Sequence, residues 1–333
     1  MKKFLALILS VAMVFALVAC GQKDTADTPD TPETPDAQTP AEGPVDIVLA
    51  TGGTSGTYYA VGGVLQTVLG PKLSLSKLSV ESTGASVANV NMITDGDAQM
   101  AILQSDVISY AHSGTYSFEG EPETSALWVA GIYNETVQIL AKPGINSVAD
   151  LKGKTVCVGD VGSGTEINAW QVLNAAGLTE NDIKAVNGTF QDGVDQLKDG
   201  KIDAAFTVAG APTTAIVDYA TTNTINLVSL TEDELAAIQS EYPFLIRDDL
   251  KANTYTGQDK DVVCVAIQAT LVASETLSED VVYEMLKGMF DNQEALTAGH
   301  AKFGLLSAES ASAGATVTMH PGAEKYYKEI GVL

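Results

Sequence analysis

Residues 46–59 read Asp46-Ile47-Val48-Leu49-Ala50-Thr51-Gly52-Gly53-Thr54-Ser55-Gly56-Thr57-Tyr58-Tyr59. The short run rich in Ile, Val and Leu predicts a buried strand. A glycine-rich turn follows, and the apolar spacing from about Thr57 to Leu69 predicts a helix. A strand passing through a Gly/Ser/Thr turn into a helix is the building unit of an α/β protein. Glycines let the backbone approach a ligand closely and adopt positive φ. Free N–H groups at the helix start, with the helix dipole behind them, attract an anion such as carboxylate. No Lys follows the glycines, so this is not a Walker loop. Read alone, a plain tight turn with a helix cap accounts for it equally well.

The same grammar recurs along the chain. Leu78-Ser79-Val80-Glu81 leads through Ser82-Thr83-Gly84 into a helix carrying Val90 and Ile93, and Met100-Ala101-Ile102-Leu103 leads through Gln104-Ser105-Asp106 into another. Apolar runs at 128–132 and 137–141 flank Tyr133-Asn134-Glu135. The pattern then restarts, with a strand at 155–158, a loop at 159–164 and a helix at 165–176 that Gly177 closes. Further strands are predicted at 183–186 and 204–207, with a helix near 191–198 between them. A long apolar run covers 262–273, and Ser278 caps an amphipathic helix bearing Val281, Val282, Met285, Leu286 and Met289. The expectation is two α/β lobes, 45–133 with 260–333 and 134–259, enclosing a cleft. Ligands of such sheets bind beyond the carboxyl ends of the strands. The candidate contacts are therefore Gly53, Thr54, Ser55, Gly56, Thr57, Tyr58, Thr83, Gly84, Ser86, Gln104 and Ser105 on one side. Gly162, Ser163, Gly164, Thr165 and Gly210 face them on the other, with Tyr133 at the crossing. The 159–166 loop superficially resembles a dinucleotide loop but lacks the third glycine.

Composition excludes several classes. The 333 residues carry 18 Lys+Arg against 42 Asp+Glu, a formal charge of −24. A nucleic-acid binder needs a cationic face, and docking on anionic lipid needs a polybasic patch. Of the basic residues, Arg247 alone is arginine. Cys157 and Cys264 sit in β-branched runs, which predicts buried free thiols rather than a disulfide. No His-Glu-x-x-His and no Gly-x-Ser-x-Gly occurs, and His112, His300 and His320 have no metal-like spacing. No metal, no cofactor and no enzymatic activity is expected. Ser74-Leu75-Ser76-Lys77 matches Ser-x-x-Lys, but neither Ser-Asp-Asn nor Lys-Thr-Gly accompanies it, which makes it a chance match.

The N-terminal residues read as an address. Lys2 and Lys3 precede an apolar run from Phe4 to Ala19, shorter than the about 20 residues of a membrane span. It ends in Leu17-Val18-Ala19-Cys20-Gly21, which resembles a bacterial lipobox with cleavage after residue 19 and acylation of Cys20. An ordinary signal peptide is the other reading. Losing residues 1–19 removes two Lys and no acid, so 16 basic residues face 42 acids, a charge of −26. Residues 20–44 follow with five of the 11 prolines and six acids, and predict an extended tether that holds the body near the membrane by its lipid alone.

Taken in order, these motifs resemble the TAXI family, the TRAP-associated extracytoplasmic immunogenic solute-binding proteins. The resemblance runs through the 52–63 and 82–89 segments, Ala101-Ile102-Leu103-Gln104-Ser105-Asp106, Gly162-Ser163-Gly164-Thr165 and 200–204. Tyr255-x-Gly257-Gln258 and His320-Pro321-Gly322-Ala323-Glu324-Lys325-Tyr326-Tyr327 complete it. It implies a bilobal, type II-like periplasmic-binding-protein fold acting as a monomer outside the cytoplasm. It also implies delivery of a small anionic solute, glutamate or another amino acid or a dicarboxylate, to a TRAP-type permease. A receptor of the same fold that signals to a membrane sensor is the alternative. Other TRAP receptors grip carboxylate with arginine. Arg247 lies beside Asp248 and Asp249, away from the cleft loops, so amides and hydroxyls of 52–58 and 162–165 are expected to hold the anion, assisted by Gln104 and Tyr133.

Overall fold

Nine strands organise the computed structural model, which describes residues 43–333. The expected signal segment, Cys20 and nearly all of the tether lie outside the described residues. The strands are β1 (Val45–Ala50), β2 (Ser76–Glu81), β3 (Met100–Gln104), β4 (Ala126–Ala141), β5 (Thr155–Cys157), β6 (Lys184–Val186), β7 (Ala204–Ala209), β8 (Ile246–Arg247) and β9 (Val265–Ser274). They form one sheet in the order β2-β1-β3-β9-β4-β7-β5-β6, with β8 on β9. The pairs β1–β2, β1–β3, β5–β6 and β5–β7 are parallel, as strand–helix–strand units require. The pairs involving β4 and β9 are antiparallel. These two strands join a β2-β1-β3 half to a β7-β5-β6 half. This is the two-lobed α/β architecture with crossing strands that the sequence predicts.

Strand β4 is longer than the sequence pattern suggests. Tyr133-Asn134-Glu135 does not interrupt it; the strand runs through, with register shifts at Trp128/Ala130 and Gly131/Tyr133. It is buried almost throughout because β9 and β7 flank it while helices cover its faces, so it shows no alternation. Val129 to Tyr133 pack in one core with Ile47, Leu49 and Met285, whereas Val137 and Ile139 pack in another with Val156 and Phe206. On β9, Val265 and Ile267 belong to the second core and Ala269 and Leu271 to the first. Each connecting strand thus passes between cores within a few residues.

Helices follow most strands: α1 (Thr57–Leu69), α2 (Ser86–Asp95), α3 (Ser105–Ser113), α4 (Gly164–Ala175), α5 (Phe190–Lys198), α6 (Thr214–Thr222), α7 (Glu232–Glu241) and α8 (Glu279–Asp291). Ser278 caps α8 by accepting from the Val281 N–H, as its position predicts. Cys157 and Cys264 are buried free thiols. The His320–Tyr327 motif ties the C-terminal segment to the first half. His320 Nδ1 accepts from the Gly322 N–H, and its Nε2 lies 3.1 Å from the Leu277 carbonyl, which makes the ring a neutral Nε2–H tautomer. Tyr327 donates to the Val129 carbonyl at 3.1 Å. Gly322 is required by close approach, since a Cβ there would sit 2.2 Å from the Glu279 carbonyl oxygen. Ser74 of the Ser-x-x-Lys match is exposed and bonded to Glu284, away from the carboxyl ends of the strands.

Candidate functional site

At the carboxyl ends of β1, β2, β3 and β5 the two halves enclose a cavity of about 50 Å³, measured at the centres of water-sized atoms. With roughly 10–15 Å³ per water on this measure, it suits a solute of amino-acid size rather than a nucleotide or sugar chain. The halves are shut on one another around it. The Thr57 hydroxyl donates to the Gly210 carbonyl at 3.1 Å, and the Val87 N–H to the Gly162 carbonyl at 3.2 Å. Deeper in, Asn168 Nδ2 donates to Asp106 Oδ2 at 2.8 Å and Gln171 Nε2 to the Tyr110 hydroxyl at 2.9 Å. Burial pushes the Asp106 carboxyl up to about 6, against the help of Asn168 and its own backbone.

Twelve of the expected contacts line the cavity: Gly53, Ser55, Gly56, Thr57, Tyr58, Thr83, Gly84, Ser86, Gln104, Ser163, Gly164 and Thr165. Thr54 is exposed on the outer side of its turn, and Ser105 is buried. Gly162 makes the turn at φ +73 and Gly210 accepts hydroxyls from Thr57 and Thr213, so both join the halves without facing the cavity. Tyr133 lies behind the wall, its ring 5.9 Å from the Lys302 ammonium. Several hydroxyls expected to reach a ligand are committed to scaffold. Thr83 bonds Thr51 and Asn89, Ser86 accepts the Gln104 N–H, and Ser163 caps α4 at the Glu166 N–H.

What remains free is mostly backbone. The α1 N-cap is Gly56, which supplies no side-chain oxygen, and the Thr57 and Tyr58 N–H groups have no partner among the described residues. The Gly164 and Thr165 N–H groups opening α4 are likewise unpaired among the described residues, as are the Ser55 and Thr165 hydroxyls. Amides from the two halves therefore line the same cavity, an arrangement that attracts anions. Gly164 also allows close approach: a Cβ there would lie 1.9 Å from Gln104 Oε1. Ala85, at the α2 N-cap in the wall, is held at φ +69, a costly conformation for a residue with a Cβ.

Nine wall residues were not among the expected contacts, and four of them shape the site most. Phe190, at the start of α5, presses its ring towards Gly56 as the apolar wall. Asp160 and Ala85 lie in loops whose glycines drew the attention. The most consequential is Glu135, which is 2% exposed and lines the cavity. Tyr58 donates to its Oε2 at 2.5 Å. Burial pushes this carboxyl up to about 8, with Tyr58, Gln104 and Lys302 partly opposing and Asp106 adding to the rise. Burial also raises Tyr58 and Tyr133, so both stay neutral donors. The available signal was a single acid inside sixteen otherwise uncharged strand residues.

Residues 49–331 match the NMT1-like family over most of the chain. The chain belongs to the NMT1-like family. This NMT1-like protein is also similar in structure to the aliphatic sulphonate binding protein SsuA of Escherichia coli, with 15% identity, 86% of this chain and 83% of that one covered, and a TM-score of 0.44. The alkanesulfonate-binding SsuA of Xanthomonas axonopodis pv. citri bound to MOPS matches at 14% identity, 86% and 85% coverage and a TM-score of 0.49. The GluR0 ligand binding core in complex with L-glutamate matches at 9% identity, 79% and 99% coverage and a TM-score of 0.46.

Proposed function

We propose that this NMT1-like protein is an extracytoplasmic solute-binding lipoprotein of the TAXI type. It takes a small carboxylate-bearing solute, glutamate or another amino acid or a dicarboxylate, between its lobes and delivers it to a TRAP-type permease. The observation that carries this reading is the enclosed cavity at which unpaired amides of α1 and α4 meet from opposite halves. Such a site binds and releases without any covalent step. Arg247 supports the arginine-free grip, since its guanidinium is engaged by Glu232 and Asp249 on an exposed strand. Closure turns on β4 near residue 134 and on β9 near Gln268; the packing of Val262, Val265 and Ile267 with the second half favours that point over residue 260. Lipidation at Cys20 keeps the monomer beside its permease.

A thermal-shift screen of amino acids and dicarboxylates tests the reading. A solute at 100 times its dissociation constant adds about 2.7 kcal/mol, which for a body of this size raises Tm by several degrees. If no member of either class moves Tm, the proposal fails.

A further inference from the structure

One corner of the cavity is built of acceptors. Glu135 contributes two carboxyl oxygens; Tyr58 donates to one, and the Gln104 amide also bears on the carboxyl. Gln104 Oε1 belongs to a side chain 2% exposed and has no hydrogen-bond partner. The nearest cation is Lys302, whose ammonium forms no hydrogen bond or ion pair among the described residues and lies over the Tyr133 ring. Burial holds that ammonium below its ordinary range. An ionised carboxylate beside an unpartnered carbonyl costs several kcal/mol in a dry site unless the occupant brings hydrogen, whereas the protonated carboxyl supplies one hydrogen of its own. The free amides of Thr57, Tyr58, Gly164 and Thr165 supply donors to the same cavity. A dicarboxylate needs donors at both ends. A zwitterion needs donors for its carboxylate and acceptors for its ammonium, and this small cavity is lined by both.

We propose that Glu135 and the side-chain carbonyl of Gln104 form an acceptor subsite for a primary ammonium group, so that the solute is an amino acid rather than a dicarboxylate or hydroxy acid. This rests on the solute-binding reading above and selects among its ligand classes. The groups facing Glu135 are Tyr58 from α1, Gln104 at the end of β3, Asp106 in the first turn of α3, Tyr133 from its own strand and Lys302 from the 301–305 turn. With no ammonium beside it, Glu135 keeps its proton at neutral pH. An arriving ammonium makes the carboxylate the favoured form, and the proton leaves to solvent. Binding therefore releases close to one proton at pH 7 and weakens as pH falls below 7, by up to about tenfold per unit.

The test is isothermal titration of the full-length protein with the twenty proteinogenic L-amino acids, with the matching des-amino carboxylic acids, and with succinate and glutarate. Titrations at pH 7 run in phosphate and in Tris, which differ in ionisation enthalpy and so count the proton. The expected result is an amino acid bound at least about a hundredfold tighter than its des-amino counterpart, with near-stoichiometric proton release. Glu135→Gln should cut that preference to less than about tenfold and abolish the release. If a dicarboxylate or des-amino acid binds as tightly as any amino acid, with no proton released, the ammonium subsite is wrong while solute binding stands. If nothing in the three sets binds, both readings fail. The comparison of ligands on the unaltered protein decides the matter even where the variant does not fold.

Discussion

Replacing Gly164 by Ala should damage binding while leaving the unliganded protein intact. The added Cβ would lie 1.9 Å from Gln104 Oε1 and 2.4 Å from its Cδ, whereas ordinary contact begins near 3.4 Å. Gln104 and Gly164 stand on opposite halves, so the collision exists only when the halves are shut. Gln104 must then leave its place, and it has little room, being 2% exposed with its backbone N–H fixed on Ser86. Overpacking of this kind costs about 1–3 kcal/mol. Loss of a hydrogen bond to a charged ligand costs about 1.5–3 kcal/mol more. Allowing for overlap between the two, the closed complex should weaken by about 2–4 kcal/mol, roughly 30- to 1,000-fold in affinity. In the open form the first position of α4 carries no positive φ, so Ala there costs nothing and restricts the unfolded chain. The assay pairs calorimetric titration of the strongest solute from the screen with a thermal melt of the empty protein. Weakened binding with an unchanged or slightly raised Tm supports closure on Gln104. A dissociation constant within twofold of the original would refute it, as would lost binding accompanied by a Tm lowered by many degrees.

Other expectations follow from the same geometry. Arg247→Ala should leave affinity unchanged within twofold by calorimetry, because the guanidinium is spent on Glu232 and Asp249; abolished binding would overturn the arginine-free grip. Thr57→Val removes the hydroxyl that holds the Gly210 carbonyl and should weaken binding about tenfold, mainly through faster release measured by stopped flow. Glu135 has a folded-state value of about 8 against 4.5 unfolded, so its stabilisation is complete below 4.5 and is lost as pH rises to 8. At pH 7 that loss is about 3 kcal/mol, so Glu135→Gln should be more stable than the parent in urea at pH 7 and equal to it at pH 4; a pH-independent difference would contradict the assignment. Gly322→Ala places a Cβ against the Glu279 carbonyl and should cost about 1–3 kcal/mol in the same urea assay.

The fold was legible because its signals are local. Strand–glycine-turn–helix units at 46–69, 78–93 and 155–176 announce themselves through apolar runs and caps, and each was found close to its reading. The cavity's glycines were legible for the same reason. Glu135 was not, because its importance lies in burial among residues far away in sequence, and an acidic chain hides one carboxylate among 42 acids. The fate of the hydroxyls was equally invisible. Thr83 and Ser163 look like ligand contacts in a Gly/Ser/Thr turn, yet both hold the turn itself. Phe190 carries no motif at all and reaches the site only because α5 begins opposite Gly56.

A structure of the protein with its strongest solute tests the central claim most directly. The account predicts the solute's carboxylate within hydrogen-bond distance of the Thr57 or Tyr58 N–H and of the Gly164 or Thr165 N–H, with both halves in contact with it. A solute seated on one half alone, or held by a lysine or by Arg247 outside this cavity, would contradict it.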